Sequence, residues 1–416
     1  MILPALLALA VGVGVGSDAT LTRRLRVIVH DGAAFEALGL TIADAPPSVV
    51  AEVLATGMQW AEGPLWVPAR SAEAARVGAE TGFLLWSDVK EGTVWRWSPA
   101  DPRAAPIVHL RPSGCTPPGC DAAALVEPGA NGLALDAKGR LHVCEHGNRR
   151  VVRRNADGTT TVIASHYRGL RLNSPNDLAL DGNGHVFFTD PSYGLNEKER
   201  DLQREQRFNG VYRARLPDEN SEEQARVGGL GFIPSVQLVT AELTRPNGVA
   251  VLNVARGQHE HRHLPGVTTT IMVANSNSTD RKWVRLAVPS ARVVATRREL
   301  VLRPPMPLRD AGVPGNPDGL AVDAAGRMWA TGPEGVLVYS AARGAFARRD
   351  LIARIVVGQK TANVAFGADD DGTGKKWLYL CAGDAVLRIA VAVDAQPLFP
   401  PLAREFMVAP GGEREL

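Results

Sequence analysis

An all-β chain built as a six-bladed β-propeller is what the sequence predicts, and three observations predict it. Turn-forming residues abound, with 42 glycines and 29 prolines in 416 residues, which suits many short strands joined by tight turns. One unit recurs along the chain: a polar residue, a small residue, an apolar strand, a Gly/Asp turn and a second strand. Helical periodicity sustained over a dozen residues is hard to find.

Three copies of the unit are plain. They are Asn131-Gly-Leu-Ala-Leu-Asp136 with Arg140-Leu-His-Val-Cys144, Asn176-Asp-Leu-Ala-Leu-Asp181 with His185-Val-Phe-Phe-Thr189, and Asp318-Gly-Leu-Ala-Val-Asp323 with Arg327-Met-Trp-Ala-Thr331. Fainter copies begin at Glu62-Gly-Pro-Leu-Trp66, Asn247-Gly-Val-Ala-Val251 and Asn363-Val-Ala-Phe366. Starts such as Asn131 and Asn176, 45 residues apart, and Asn176 and Asn247, 71 apart, have the spacing of four-stranded blades. Short β-branched runs such as Thr160-Thr161-Val162-Ile163 complete each unit, and pairing of an N-terminal strand with the last blade is expected to close the ring. The expectation is one domain over residues 20–416.

Residues 1–19 read as a cleaved signal peptide, an apolar stretch too short to span a bilayer comfortably and followed by Ser17-Asp18-Ala19. Export to the periplasm or medium follows, with no membrane partner after cleavage. Cys115-Thr-Pro-Pro-Gly-Cys120 places two thiols around a turn where a disulfide is possible in an oxidising compartment. Cys144 and Cys381 sit in apolar runs and read as inert buried thiols. A net charge of +2 without a basic stripe gives no electrostatic case for nucleic acid and leaves a small-molecule partner.

Two segments depart from the repeat. Residues 196–228, with Glu197-Lys-Glu-Arg-Asp201 and Asp218-Glu-Asn-Ser-Glu-Glu223, read as solvated loops around the strand Gly210–Arg215. Gly257-Gln-His-Glu-His-Arg-His-Leu264 offers three alternating histidines to a transition metal, but at a hairpin tip a solvated loop is the favoured reading.

If the units surround one axis, the first residue of each faces one level of a central channel. The six occupants are Glu62, Asn131, Asn176, Asn247, Asp318 and Asn363. All are oxygen donors, as hard cations prefer, and none is the His or Cys that zinc favours. Calcium is the first choice, ahead of magnesium and manganese. A buried Asn also satisfies backbone groups at strand entrances, so each position alone favours that plainer role. The shared register shifts the balance for Glu62, Asn176, Asn247 and Asp318 and leaves Asn131 and Asn363 open between metal and substrate.

Ala61-Glu-Gly-Pro-Leu-Trp66, Val143-Cys-Glu-His-Gly-Asn-Arg-Arg150, Leu172-Asn-Ser-Pro-Asn-Asp177, Phe188-Thr-Asp-Pro-Ser-Tyr-Gly-Leu195, Arg245-Pro-Asn-Gly248 and Pro317-Asp-Gly319 together resemble the gluconolactonase branch of the senescence marker protein/regucalcin family over roughly residues 30 to 395. The resemblance implies a six-bladed propeller, a divalent metal in its channel and hydrolysis of sugar lactones. Matched motif by motif, it makes Glu62, Asn176, Asn247 and Asp318 the metal positions and Asp318 the general base. The metal would polarise the lactone carbonyl while Asp318 accepts the proton of the attacking water.

Turns after the second strand of each unit are expected to bring His146, Asp190, Tyr193 and Asn275 to the channel entrance, beside Asn131, to bind substrate. His146 reads as a structural or substrate contact rather than a base. Two alternatives stay open: a phosphotriesterase or fluorophosphate hydrolase on the same site, and a non-catalytic propeller that uses calcium structurally.

Overall fold

A computed structural model of the chain describes residues 20–42, 46–217, 235–252, 267–289, 297–304, 315–340, 350–369 and 373–396. The expected leader at 1–19, the histidine-rich turn at 257–264 and the acidic run at 218–223 lie outside the described residues. No described helix is long and apolar enough to cross a membrane. The α-helices are short, Gly32–Glu36 and Ala72–Arg76 having five residues each, and apart from short 3-10 turns at Ala122–Ala124 and Lys198–Arg200 the rest of the described regular structure is antiparallel sheet.

The first four units are four-stranded sheets taken in chain order. Unit one holds Ala61–Val67, Phe83–Asp88, Thr93–Trp97 and Ile107–Leu110; unit two holds Ala130–Leu135, Leu141–Glu145, Arg150–Arg154 and Thr160–Ala164. Unit three holds Leu178–Leu180, His185–Asp190, Gly210–Arg215 and Val236–Thr240; unit four holds Pro246–Leu252, Val267–Asn275, Lys282–Pro289 and Arg297–Leu302. The fifth run is Leu320–Val322, Met328–Gly332, Gly335–Tyr339 and Leu351–Val356, and the sixth is Thr361–Ala368, Lys376–Ala382 and Ala385–Val391.

The N-terminal strand Ser48–Thr56 completes the sixth run by pairing with Ala385–Val391, the closure expected from the repeat. Thr22–Val29 adds a link the repeat did not suggest. It pairs on one side with Ser48–Thr56 and on the other with Leu351–Val356, merging the fifth and sixth runs into one nine-stranded sheet.

Apolar residues fill the spaces between neighbouring units, which is why so many strands are buried on both faces and read as unbroken hydrophobic runs. Phe83, Leu85 and Val94 of unit one pack on Leu133, Val143 and Val152 of unit two. Similar clusters join units two and three, three and four, and four and five. Trp329 and Val338 of the fifth run meet Phe366 and Leu378 of the sixth, and Trp66, Trp86 and Trp97 of unit one meet Trp377 and Tyr379 of the sixth. The first strands accordingly touch in cyclic order, with Thr361–Ala368 returning to Ala61–Val67. Each large side chain so buried contributes about 1.5–3 kcal/mol.

The Asp that ends the apolar strand of the unit is a turn cap. Asp136 Oδ1 accepts from the amides of Lys138 and Arg140 at 3.0 and 2.9 Å. Asp323 Oδ1 accepts from Ala325 and Arg327 at 3.0 and 2.9 Å, and Asp181 Oδ1 from Asn183 and His185 at 2.7 and 3.0 Å. A carboxylate accepting two backbone amides locks the Gly-containing turn that returns the chain into the second strand.

Candidate active site

The glycines after Glu62 and Asp318 are dictated by the crowding of first strands around the axis. A Cβ on Gly63, whose φ is +48°, would lie 2.2 Å from the Asn131 carbonyl oxygen, and one on Gly319 would lie 2.0 Å from the Asn363 side chain. Neighbouring units are laced together at this level. The Ser87 hydroxyl donates to the Asn131 carbonyl at 2.8 Å, the Gly132 amide to the Asn176 carbonyl at 2.7 Å, and the Thr189 hydroxyl to the Asn247 carbonyl at 2.6 Å. With their main chains satisfied by the adjacent unit, the side chains of these residues are left for the channel.

In the sixth run the same lacing selects a different residue. The Thr331 hydroxyl and the Gly319 amide donate to the carbonyl of Ala362, at 3.0 and 2.7 Å. Ala362 therefore occupies the register of Asn131, Asn176 and Asn247, and Asn363 stands one residue further on, level with Gly132, Asp177 and Gly319. The bulge between Thr361 and Asn363 matches those at Ala130–Leu133 and Pro246–Val249, so the strand register is the common one and the donor residue itself stands one position later in the sequence. At the sixth position of the expected ring the structure places the apolar Ala362 and not Asn363.

Asn363 belongs to a second level with Asp177. Asn363 Oδ1 accepts from the Val364 amide at 2.8 Å, as Asp177 Oδ1 accepts from Leu178 at 2.9 Å. The two side chains also hydrogen-bond each other, and Asp177 Oδ2 accepts from Val249 of unit four at 3.1 Å. Burial raises Asp177 to about 6 against these bonds. Sequence reasoning passed over Asp177, although an Asp where most other units have Gly was a visible signal.

Glu62 and Asp318 are drawn into one electrostatic group. Burial raises Glu62 first, with the charges of Asp177 and Glu127 adding to it and the Gly63 amide, at 3.2 Å, opposing. Asp318 is raised well above the carboxylate range by burial, then by Glu62, Asp177 and Glu127. Asp318 Oδ1 is buried with no hydrogen-bond partner. Among the described residues no group of three or more His, Cys, Asp and Glu is arranged to hold a metal ion. The donors gathered here are instead two carboxylates with Asn amides.

The asparagines are oriented by their neighbours. Asn131 Nδ2 and Asn176 Nδ2 donate to His146 Nε2 at 3.4 and 3.5 Å, which turns each amide oxygen the opposite way. Asn247 Nδ2 donates to the Ser276 hydroxyl at 3.1 Å. Tyr193 joins this corner through bonds with Ser276 and Asn247, and burial followed by the Asp318 charge raises its phenol. Burial lowers His146 to about 4, so it is neutral near pH 7.

Asp190 and Asn275 serve the loops. Asp190 Oδ2 accepts from the Asn173 amide at 2.8 Å, and burial lifts its carboxyl to about 7. Asn275 Oδ1 accepts from the Arg245 amide at 2.8 Å, and its Nδ2 donates to the Asp280 carbonyl at 2.8 Å. Cys115 and Cys120 are joined in a disulfide, and Cys144 and Cys381 are buried free thiols.

A family model described as the SMP-30/Gluconolactonase/LRE-like region matches residues 60–257. A gluconolactonase of Zymomonas mobilis is 31% identical over 293 residues, 70% of this chain and 69% of that protein. The solved structure of a gluconolactonase from Xanthomonas campestris is 24% identical, covers 92% of this chain and 99% of its own, and superposes with a TM-score of 0.60. A calcium-binding regucalcin from Agrobacterium tumefaciens is 16% identical, covers 84% and 96% of the two chains, and has a TM-score of 0.50. These two likenesses give the fold, a β-propeller.

Proposed function

Because this chain belongs to the SMP-30/gluconolactonase family, we propose that it is a lactonase that opens sugar-type lactones with a divalent cation, calcium first, held by Glu62, Asn176, Asn247 and Asp318. The observation that carries the reading is the orphaned, buried Oδ1 of Asp318 beside a second buried carboxylate, Glu62. Two desolvated carboxylates whose charges act on each other resist joint ionisation unless a cation shares them. The donor set suits a hard cation, being oxygen throughout. Calcium is favoured because the regucalcin neighbour binds it, with magnesium and manganese next.

The bound cation would supply Lewis acidity at the lactone carbonyl. Asp318 takes the proton of the water that bonds to the carbonyl carbon and returns it to the ring oxygen as the ring C–O bond breaks, leaving a hydroxy acid. Glu62 balances charge. Asn131 and His146 contact the substrate, Tyr193 steadies Asn247, and Asp190 and Asn275 hold the entrance loops from which substrate is bound. Six blades and one domain over 20–416 are part of the proposal, supported by the cyclic contact of six first strands. So is export after loss of residues 1–19, supported by the Cys115–Cys120 disulfide; N-terminal sequencing of the secreted protein tests it, and an intact Met1 counts against it.

The test of activity is hydrolysis of neutral aldonolactones with and without a chelator, repeated with Asp318→Asn. Loss of turnover in chelator, its return on adding calcium, and a drop of at least a hundredfold in the variant are expected. Full activity in either condition would sink the metal-and-base account. Turnover of a matched phosphotriester in preference to the lactones would move the reading to a phosphotriesterase.

A further inference from the structure

The connection from Ile107–Leu110 to Ala130–Leu135 is pinned on both sides. The Cys115–Cys120 disulfide closes it on itself. Inward, the Asn148 amide donates to the Gly114 carbonyl at 2.6 Å and Asn148 Oδ1 accepts from the Thr116 amide at 3.1 Å. Gly147 runs so close beneath that an added Cβ would lie 2.6 Å from Cys115 Cβ and 2.8 Å from Cys120 Sγ. Outward, the Val126 amide donates to Asn196 Oδ1 at 3.0 Å, and the Asn196 side-chain amide donates to the Ala124 carbonyl.

Glu127 sits within this pinned segment, with Oε2 at 3.7 Å from His146 Nδ1. Nε2 of His146 accepts from two asparagine amides, so in the neutral ring the proton is on Nδ1, an assignment made from the hydrogen-bond network. That buried N–H faces the Glu127 main chain and carboxylate. The Glu127 side chain keeps 24% of its surface exposed, while its charge acts on Glu62 and Asp318. The Glu127 side chain thus meets the site through His146 and keeps part of its surface open to solvent. Burial raises the Glu127 carboxyl above its ordinary value, and the charges of Lys90 and Lys198 oppose that rise.

We propose that Glu127 is a specificity-determining residue of the site, accepting hydroxyl hydrogen bonds from uncharged polyhydroxylated lactones and repelling lactones that carry a carboxylate or phosphate. Backed by His146 and held by the disulfide-closed segment, its carboxylate is positioned before substrate arrives. The proposal rests on the lactonase reading above and adds the residue that discriminates between uncharged and anionic lactones.

The experiment compares wild type with Glu127→Gln on a neutral aldonolactone and on a lactone of the same ring size bearing a free carboxylate. The isosteric amide keeps the shape and removes the charge. The expected result is a KM for the neutral lactone raised about tenfold, a KM for the anionic one lowered, and kcat on the neutral lactone within about threefold. A ratio of kcat/KM values unchanged from wild type, or a loss confined to kcat, overturns the proposal while the lactonase reading stands. Failure of wild type to open either lactone overturns both.

Discussion

The Thr331 hydroxyl donates to the main-chain carbonyl of Ala362 at 3.0 Å, so Ala362 rather than Asn363 shares the level of the channel asparagines. The same lacing in other units, Ser87 to Asn131 and Thr189 to Asn247, makes this a register shared by the fold. An apolar wall at the sixth position limits how many protein oxygens a cation there can meet and leaves room for water and substrate.

Asn363→Ala should therefore act on stability and spare the cation. The change removes the bonds to the Val364 amide and Asp177, for a loss of about 1–2 kcal/mol in urea unfolding. Calcium affinity by titration calorimetry should stay within about threefold of wild type, while Asn247→Ala weakens it by at least about tenfold. Equal losses of affinity in the two variants would put Asn363 back among the ligands.

Glu73 provides a pH signature remote from the channel. Burial raises its carboxyl, but hydrogen bonds from Arg76 at 2.6 and 2.9 Å and from His109 at 2.7 Å outweigh it and hold it at about 2, below the ordinary 4.5. A depressed carboxylate stabilises fully above its unfolded value and loses that contribution as pH falls from 4.5 toward 2. Glu73→Gln should cost about 2–3 kcal/mol at pH 7 and visibly less at pH 3, read from urea curves at both. A difference independent of pH would mean that packing, not charge, is what Glu73 contributes.

Replacing Cys115 and Cys120 with Ser should cost about 2 kcal/mol, since a loop this short constrains the unfolded chain only modestly. The larger effect is expected on catalysis, because the bond helps pin the segment that carries Glu127. KM for a neutral lactone should rise several-fold with kcat retained, and wild type in reductant should behave likewise. An unmoved KM would show that the Asn148 and Asn196 bonds hold the segment unaided.

Much of this protein is legible in its sequence because the evidence of a repeat is local. The Gly/Asp turns, the apolar strands and the Asn-Gly or Asp-Gly starts obey short-range backbone chemistry, and Asp136, Asp181 and Asp323 cap their turns as that chemistry requires. The long motifs carrying Glu62, Asn176, Asn247 and Asp318 led to the family, and the N-terminal closing strand follows from the need to leave no edge unpaired. What remained for tertiary structure was set between units. Pairing of the Ala362 carbonyl with unit five put an alanine where the sequence suggested Asn363, Thr22–Val29 tied the fifth run to the sixth, and Asp177 and Glu127 gained their meaning from Asp318 and His146. Strand register and the field of a buried carboxylate depend on residues distant in sequence, so spacing along the chain carries no record of them until the ring is closed.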